Sequence, residues 1–276
     1  DVLVDGSNNS TNLFYIGTGL ESVSESSSGK LLNSQFFLEA KSYKSIPVLW
    51  NSSEDKGPSL SGYENNRAIG KLSLTNGYLG EFHFKSTKAK SAVYVDKLIF
   101  EGLTENSLAT NKLDLLNIDD GVTVYFAASN LPEEKIDGMQ NAKLRWVKEY
   151  AGGYSSMPLY FPGLNKSIFV NRAYRRSRIF DSDGDGIANG FDPTPFGDGR
   201  PVMTIAGRSI EWLSVPNTTY QVQYTQKLGQ WANWQELGKI KSHDMLFDAL
   251  RYEIPADLIP PNSGLESIYI RVVALD

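Results

Sequence analysis

The chain has 276 residues, enough for two domains, and a hydrophobic fraction of 41% that supplies real cores. A net charge of −5 argues against a nucleic-acid partner, which favours a strongly basic face. With no cysteine, a disulfide-stapled scaffold, a thiol nucleophile and the usual structural zinc sites are excluded.

Residues 1–34 are rich in Ser, Asn and Gly, with short strands expected at 2–4 and 13–16 and a loop over 24–30. Asn-x-Ser/Thr sequons stand at Asn8, Asn9, Asn51, Asn165 and Asn217, and imply glycans only in a cell with the machinery. From Phe36 the pattern turns strand-like: 36–40, 46–50 with Pro47 marking an edge or a strand start, then 68–74. The pair Asn76-Gly77 predicts a hairpin into 78–84, where Leu79, Phe82 and Phe84 alternate with polar residues. Further strands are expected at 93–100, 113–118 and 122–127, the last two flanking the turn Asp119-Asp120-Gly121. Such runs every 10–20 residues argue for an antiparallel sandwich or a short β-solenoid rather than βαβ units. Pro132-Glu133-Glu134 reads as a helix start, limited by Gly138 to about one turn, and 144–147 is again strand-like. A cluster of Arg172, Arg175, Arg176 and Arg178 follows the strand at 167–170 and offsets nearby aspartates or decorates a surface.

The most informative stretch is 181–195, DSDGDGIANGFDPTP. Numbered as a calcium loop, Asp181, Asp183, Asp185, Gly186, Asn189 and Asp192 occupy positions 1, 3, 5, 6, 9 and 12. Calcium takes roughly six to eight oxygens at about 2.3–2.6 Å, which a short loop supplies only by wrapping round the ion. Alternate carboxylates then point inward, the carbonyl of Ile187 joins them, and Asp192 closes the ring. Asp192 replaces the longer Glu of an EF-hand, and Pro193 and Pro195 prevent an exiting helix. The expected ligands are therefore Asp181, Asp183, Asp185, Ile187, Asn189 and Asp192, and the expected cofactor is Ca2+.

This pattern, DxDxDGxxNxxDxxP, resembles a thrombospondin type 3 repeat at every fixed position, over 15 of the 276 residues. The resemblance implies a calcium-binding linker without flanking helices. A single copy departs from the family, whose repeats come in series.

Beyond the loop, strands are expected at 202–205, 210–213, 220–224, 234–237, 252–254 and 268–273, with a proline turn at Pro260-Pro261. The order of Trp212, then YQVQY, then the late strand from Tyr269 to Val272 resembles a fibronectin type III domain. The expected class is all-β in three parts. A β-rich N-terminal domain, sandwich or short solenoid, covers 1–179. A calcium-binding linker covers 180–200, and a small immunoglobulin-like sandwich covers 201–276. Together, VNRAYRRSRIFDSDGDGIANGFDPTPF and the strand YQVQY resemble the C-terminal regions of very large repeat-bearing secreted bacterial surface proteins. That resemblance implies that the first domain ends a repetitive extracellular stalk. The start at Asp1 reads as a mature or excised fragment.

Catalytic constellations are sparse. The two histidines, His83 and His243, are far apart, and no G-x-S-x-G, HExxH, P-loop or GxGxxG is present. The paired carboxylates Glu133-Glu134 and Asp119-Asp120 read as solvated turn or strand residues rather than a glycosidase pair. No apolar run reaches the roughly 18–20 residues of a membrane span. The expectation is a non-catalytic structural or adhesive module of an extracellular bacterial surface protein, with calcium stiffening its linker. Its implied partners are copies of itself or neighbouring surface-protein subunits, joined through open sheet edges. The alternative is a carbohydrate-binding accessory region, with Trp50, Trp231 and Trp234 as stacking rings for glycans.

Overall fold

In the computed structural model the chain divides into two compact units, Asp1–Gly153 with Tyr174–Phe180, and Tyr154–Ala173 with Asp181–Asp276. The structure describes residues 12–23, 31–41, 44–76, 80–109, 113–152, 158–169, 174–243, 248–258 and 268–275. The strand expected at 2–4, the loop at 24–30, the sequons at Asn8 and Asn9, Arg172 and the turn at Pro260-Pro261 lie outside them.

The first unit is built from β1 (Asn12–Ile16), β2 (Leu20–Ser22), β3 (Leu31–Ala40), β4 (Ser45–Trp50), β5 (Ile69–Asn76), β6 (Glu81–Lys85), β7 (Ser91–Glu101), β8 (Leu116–Ile118), β9 (Val122–Ser129) and β10 (Leu144–Trp146). Six strands form one sheet in the order β1-β3-β5-β7-β9-β10, and four form another in the order β2-β4-β6-β8. Every pairing in both sheets is parallel. From β1 to β9, successive strands alternate between the sheets. Parallel neighbours cannot be joined by a tight turn, so each strand of one sheet serves as the crossover between two strands of the other.

This winding sets like residues in register. Phe36, Leu72 and Leu98 form one row across the larger sheet, and Leu38, Leu74 and Phe100 form the next. On the smaller sheet the rows are Ile46, Phe82, Leu116 and Val48, Phe84, Ile118. All twelve side chains are buried in one core cluster. Each fully buried Leu, Ile, Phe or Val contributes about 1.5–3 kcal/mol relative to exposure, which makes these rows the main support of the unit.

The fold class expected from the sequence is corrected by this pairing. It was all-β, with a sandwich or short solenoid followed by a small immunoglobulin-like sandwich, whereas the larger unit is organised on two parallel sheets, the pattern usual in α/β folds. The hairpin expected across Asn76-Gly77 is corrected as well, because β5 and β6 lie in different sheets. The physical reason is the same for both. Alternation of apolar residues fixes which face of a strand is buried, not which strand is its neighbour.

The outer face of the larger sheet carries a second cluster that includes Tyr63, Tyr94, Tyr125 and Tyr150. Tyr63 stacks on Tyr150 at 3.7 Å and Tyr94 on Tyr125 at 4.6 Å between ring centroids. The Tyr94 and Tyr125 hydroxyls donate to the Gly57 carbonyl and to Asp55 Oδ1, each at 2.8 Å, pinning the 51–66 loop over the sheet. The segment Tyr174–Phe180 packs on the same unit: Tyr150 donates to the Arg176 carbonyl at 3.1 Å, and Ser177 and Arg178 both donate to Asp96. The first unit thus holds the chain up to the residue before Asp181.

In the second unit, β11 (Leu159–Phe161) and β12 (Lys166–Ile168) form an antiparallel pair. Two three-stranded antiparallel sheets follow. One is β13-β14-β17 (Met203–Ala206, Ser209–Ser214, Asp248–Glu253) and the other is β16-β15-β18 (Gln235–Lys241, Thr219–Thr225, Tyr269–Leu275). Their core joins Ile210, Trp212, Tyr220, Val222, Ile254 and Val272. Trp212 meets Tyr220 edge to face at 5.7 Å, and the Tyr220 hydroxyl accepts the Val215 N–H at 2.8 Å. No helix among the described residues is long and apolar enough to cross a membrane.

Candidate metal centre

The loop that starts at Asp181 folds around its own first carboxylate. Asp181 Oδ1 accepts the Gly184 N–H at 2.7 Å, and Oδ2 accepts the Gly186 N–H at 2.9 Å. Both glycines are left-handed, at φ +78° and +93°, a conformation that side-chain-bearing residues adopt only with strain. Asp183 Oδ1 accepts the Asp185 N–H at 3.3 Å and Asp185 Oδ1 the Ile187 N–H at 2.8 Å. These turns converge the side chains, so that one oxygen each of Asp181, Asp183 and Asp185 lies within 4.8 Å of the others.

Asp192 is nine-tenths buried. Its Oδ1 accepts the Thr194 N–H at 2.7 Å and hydroxyl at 3.2 Å, while Oδ2 has no hydrogen-bond partner. A buried carboxylate oxygen without a donor is costly unless a cation meets it. Burial pushes the Asp183 carboxyl up to about 6, and the negative charges of Asp185 and Asp192 push the same way. Three converging carboxylates, with the charge of Asp192 acting on Asp183, are a set that a divalent cation would neutralise, and hard oxygen donors suit calcium better than softer metals.

Asn189 and Ile187 also make hydrogen bonds of their own within the loop. The Asn189 side chain is buried and turned to Ser182: Oδ1 accepts the Ser182 N–H at 2.9 Å and Nδ2 donates to its hydroxyl at 2.8 Å. Asn189 therefore braces the loop. Ile187 gives its N–H to Asp185, and its side chain is 38% exposed.

Spacing did not reveal the wall on which Asp183 rests. A Cβ at Gly197 would stand 2.9 Å from Asp183 Oδ2, so the backbone there approaches the carboxylate closely. A cavity of about 100 Å³ borders Asp183, Asp185, Gly197, Leu213 and Val215. The neighbouring Asp198 carbonyl accepts the Gly163 N–H at 2.6 Å, tying this wall to the turn between β11 and β12. The sequence signal for the wall was Gly197-Asp198-Gly199, a turn-prone run just after Pro195-Phe196.

Other singled-out residues have structural partners. His83 Nε2 lies 2.7 Å from Asp119 Oδ1, and Asp120 pairs with Lys143 at 2.6 Å. Glu133 is buried and accepts the Ser129 N–H at 3.1 Å and the Tyr174 hydroxyl at 3.2 Å. Trp50 is buried and donates to Ser53, which removes it as a stacking ring for sugars. Trp234 is half-buried with the Arg271 guanidinium 4.1 Å over its ring, and the Trp231 side chain lies outside the described residues. No protein-family model, curated protein or solved structure matches the chain.

Proposed function

We propose that the chain is a non-catalytic structural or adhesive module of an extracellular bacterial surface protein, in which calcium orders the segment from Asp181 to Asp192. The carrying observation is the convergence of Asp181, Asp183 and Asp185 in a loop that also holds the buried, donor-free Asp192 Oδ2. In this reading those four carboxylates hold the ion, the Ile187 carbonyl completes the shell, and Asn189 keeps the loop in shape. The match to the thrombospondin type 3 pattern supports the choice of calcium. Weak extracellular calcium modules have dissociation constants of about 10⁻⁴–10⁻³ M, so such a site fills where calcium is millimolar and stays largely empty in a cytosol. At ten times its dissociation constant the ion stabilises the ordered loop by RT ln 11, about 1.4 kcal/mol.

The test is thermal unfolding of the wild type and of the Asp183→Ala/Asp185→Ala variant, with 5 mM calcium (an order-of-magnitude choice set by about ten times such constants) and with chelator. The wild type is expected to melt higher with calcium while the variant is indifferent to it. An equal calcium response in both proteins contradicts the proposal.

A further inference from the structure

Across the larger parallel sheet, the pairing between β5 and β7 steps from Ile69 opposite Val95 to Lys71 opposite Lys97, passing over Gly70 and Asp96. The step sets two lysines side by side on neighbouring strands, a separation of about 5 Å at which like charges repel. Both ammonium stems are half-buried. Burial, and then the charge of Lys71, hold the Lys97 amine below its ordinary value. Lys143 pairs with Asp120 and Lys239 with Glu236. Among the described residues no carboxylate lies within salt-bridge distance of Lys71 or Lys97. Each instead sits over an aromatic ring, Lys71 4.9 Å from the Phe37 centroid and Lys97 4.3 Å from that of Phe180.

The same face continues toward β1. Lys71 is in register with Gln35, and Gln35 with Leu13. One row further along, Tyr15 pairs with Phe37, and their rings stack at 4.8 Å and 13°. Tyr15 is 76% exposed, so one flat ring face is open to solvent. The face therefore combines two neighbouring lysines, with Asp96 the carboxylate whose charge acts on Lys97, an amide, and the exposed Tyr15 ring as an aromatic platform.

We infer that this face binds an acidic oligosaccharide, with Lys71 and Lys97 holding a uronate carboxylate and the exposed Tyr15 ring, backed by Phe37, carrying a sugar face. Charge complementarity selects the anion. An ion bridging the two lysines removes their mutual repulsion, and charge-assisted hydrogen bonds to a partly desolvated carboxylate are the stronger kind. The platform selects a ring-bearing anion over a small one, because apolar C–H faces stack on aromatic rings. Gln35, between the two rows, supplies a donor and an acceptor for hydroxyls. The site lies wholly within the first unit.

The experiment is calorimetric titration of the full chain with trigalacturonate in calcium-free buffer. Maltotriose serves as the neutral ring control and inorganic phosphate as the free-anion control. Trigalacturonate is expected to bind, with affinity falling as salt rises. It should weaken at least about fivefold in Lys97→Gln and in Tyr15→Ala, as the loss of one charged contact or one stacked ring implies. Tyr15 is exposed on an edge strand, so its variant keeps the test valid if the half-buried lysine variant does not fold. Absence of trigalacturonate binding overturns the inference. So does equal binding of maltotriose, unchanged affinity in the folded variants, or phosphate binding as tightly as the trisaccharide.

Discussion

Asp96 and Arg178, 82 residues apart in the chain, are joined by a hydrogen bond of 2.8 Å from the Arg178 N–H to Asp96 Oδ2. The Ser177 hydroxyl donates to the same oxygen at 2.9 Å, and Oδ1 has no hydrogen-bond partner. Asp96 is fully buried on β7, so this contact fastens the last segment of the first unit, immediately before the metal loop. Burial pushes its carboxyl from the ordinary 3.8 up to about 7, against the pull of the Arg178 and Ser177 donors and of the Lys97 and Arg178 charges. Tyr63 and Tyr150, whose own hydroxyl pKa values rise chiefly through burial, also face it.

Because the folded value lies above the unfolded one, between about pH 4 and 7 the folded protein keeps a proton that the unfolded chain releases. This group's contribution to stability therefore falls as pH rises through that window, and the penalty is complete above it. Asp96→Asn keeps an acceptor for Ser177 and Arg178 without the charge. It is expected to stabilise the first unit at pH 8 by on the order of a few kcal/mol. It should leave stability near pH 4 little changed. Near-UV circular dichroism of the tyrosine cluster during thermal unfolding reads the effect, and parallel pH profiles for the two proteins would contradict it.

Gly70 sits where β5 passes closest to β3. A Cβ there would fall 2.1 Å from the Leu32 carbonyl oxygen and 2.9 Å from that of Ser34. Both obstacles are backbone, so the strands must part. Gly70→Ala is expected to destabilise the first unit by on the order of 3 kcal/mol. Chemical denaturation should show it as a lower midpoint, and a midpoint equal to wild type would mean that the strands separate at no cost.

Gly197→Ala probes the metal loop from outside the carboxylate pattern. The new methyl would press on Asp183 at 2.9 Å from Oδ2, and φ is +51°. Calcium affinity is expected to fall about tenfold or more, the effect of roughly 1.4 kcal/mol of strain on the bound geometry. Titration with calcium checks it, and an unchanged dissociation constant would remove Gly197 from the site's wall.

The sequence made legible what is local. Asp181, Asp183 and Asp185 converge because their spacing and the two glycines act within a few residues. The single turn at Glu133–Ile136, with Gly138 left-handed just after it, was legible for the same reason. The pairing of strands was not legible. Phe36 meets Leu72 in parallel register, and nothing in either strand's alternation names a neighbour a full turn of chain away. Position in the loop named Asn189 as an oxygen donor to the ion, and position does not say that its side chain also bonds Ser182 through both its atoms. The Lys71–Lys97 juxtaposition exists only once the register is known.

Calcium binding at the Asp181–Asp192 loop is decided by isothermal titration of the chelator-stripped chain with calcium. The prediction is saturable binding at the Asp181–Asp192 loop with a dissociation constant of about 10⁻⁴–10⁻³ M, abolished in Asp183→Ala/Asp185→Ala and accompanied by protection of the 180–200 region from limited proteolysis. No saturable calcium binding at millimolar concentrations, or binding that survives the double substitution, would contradict it.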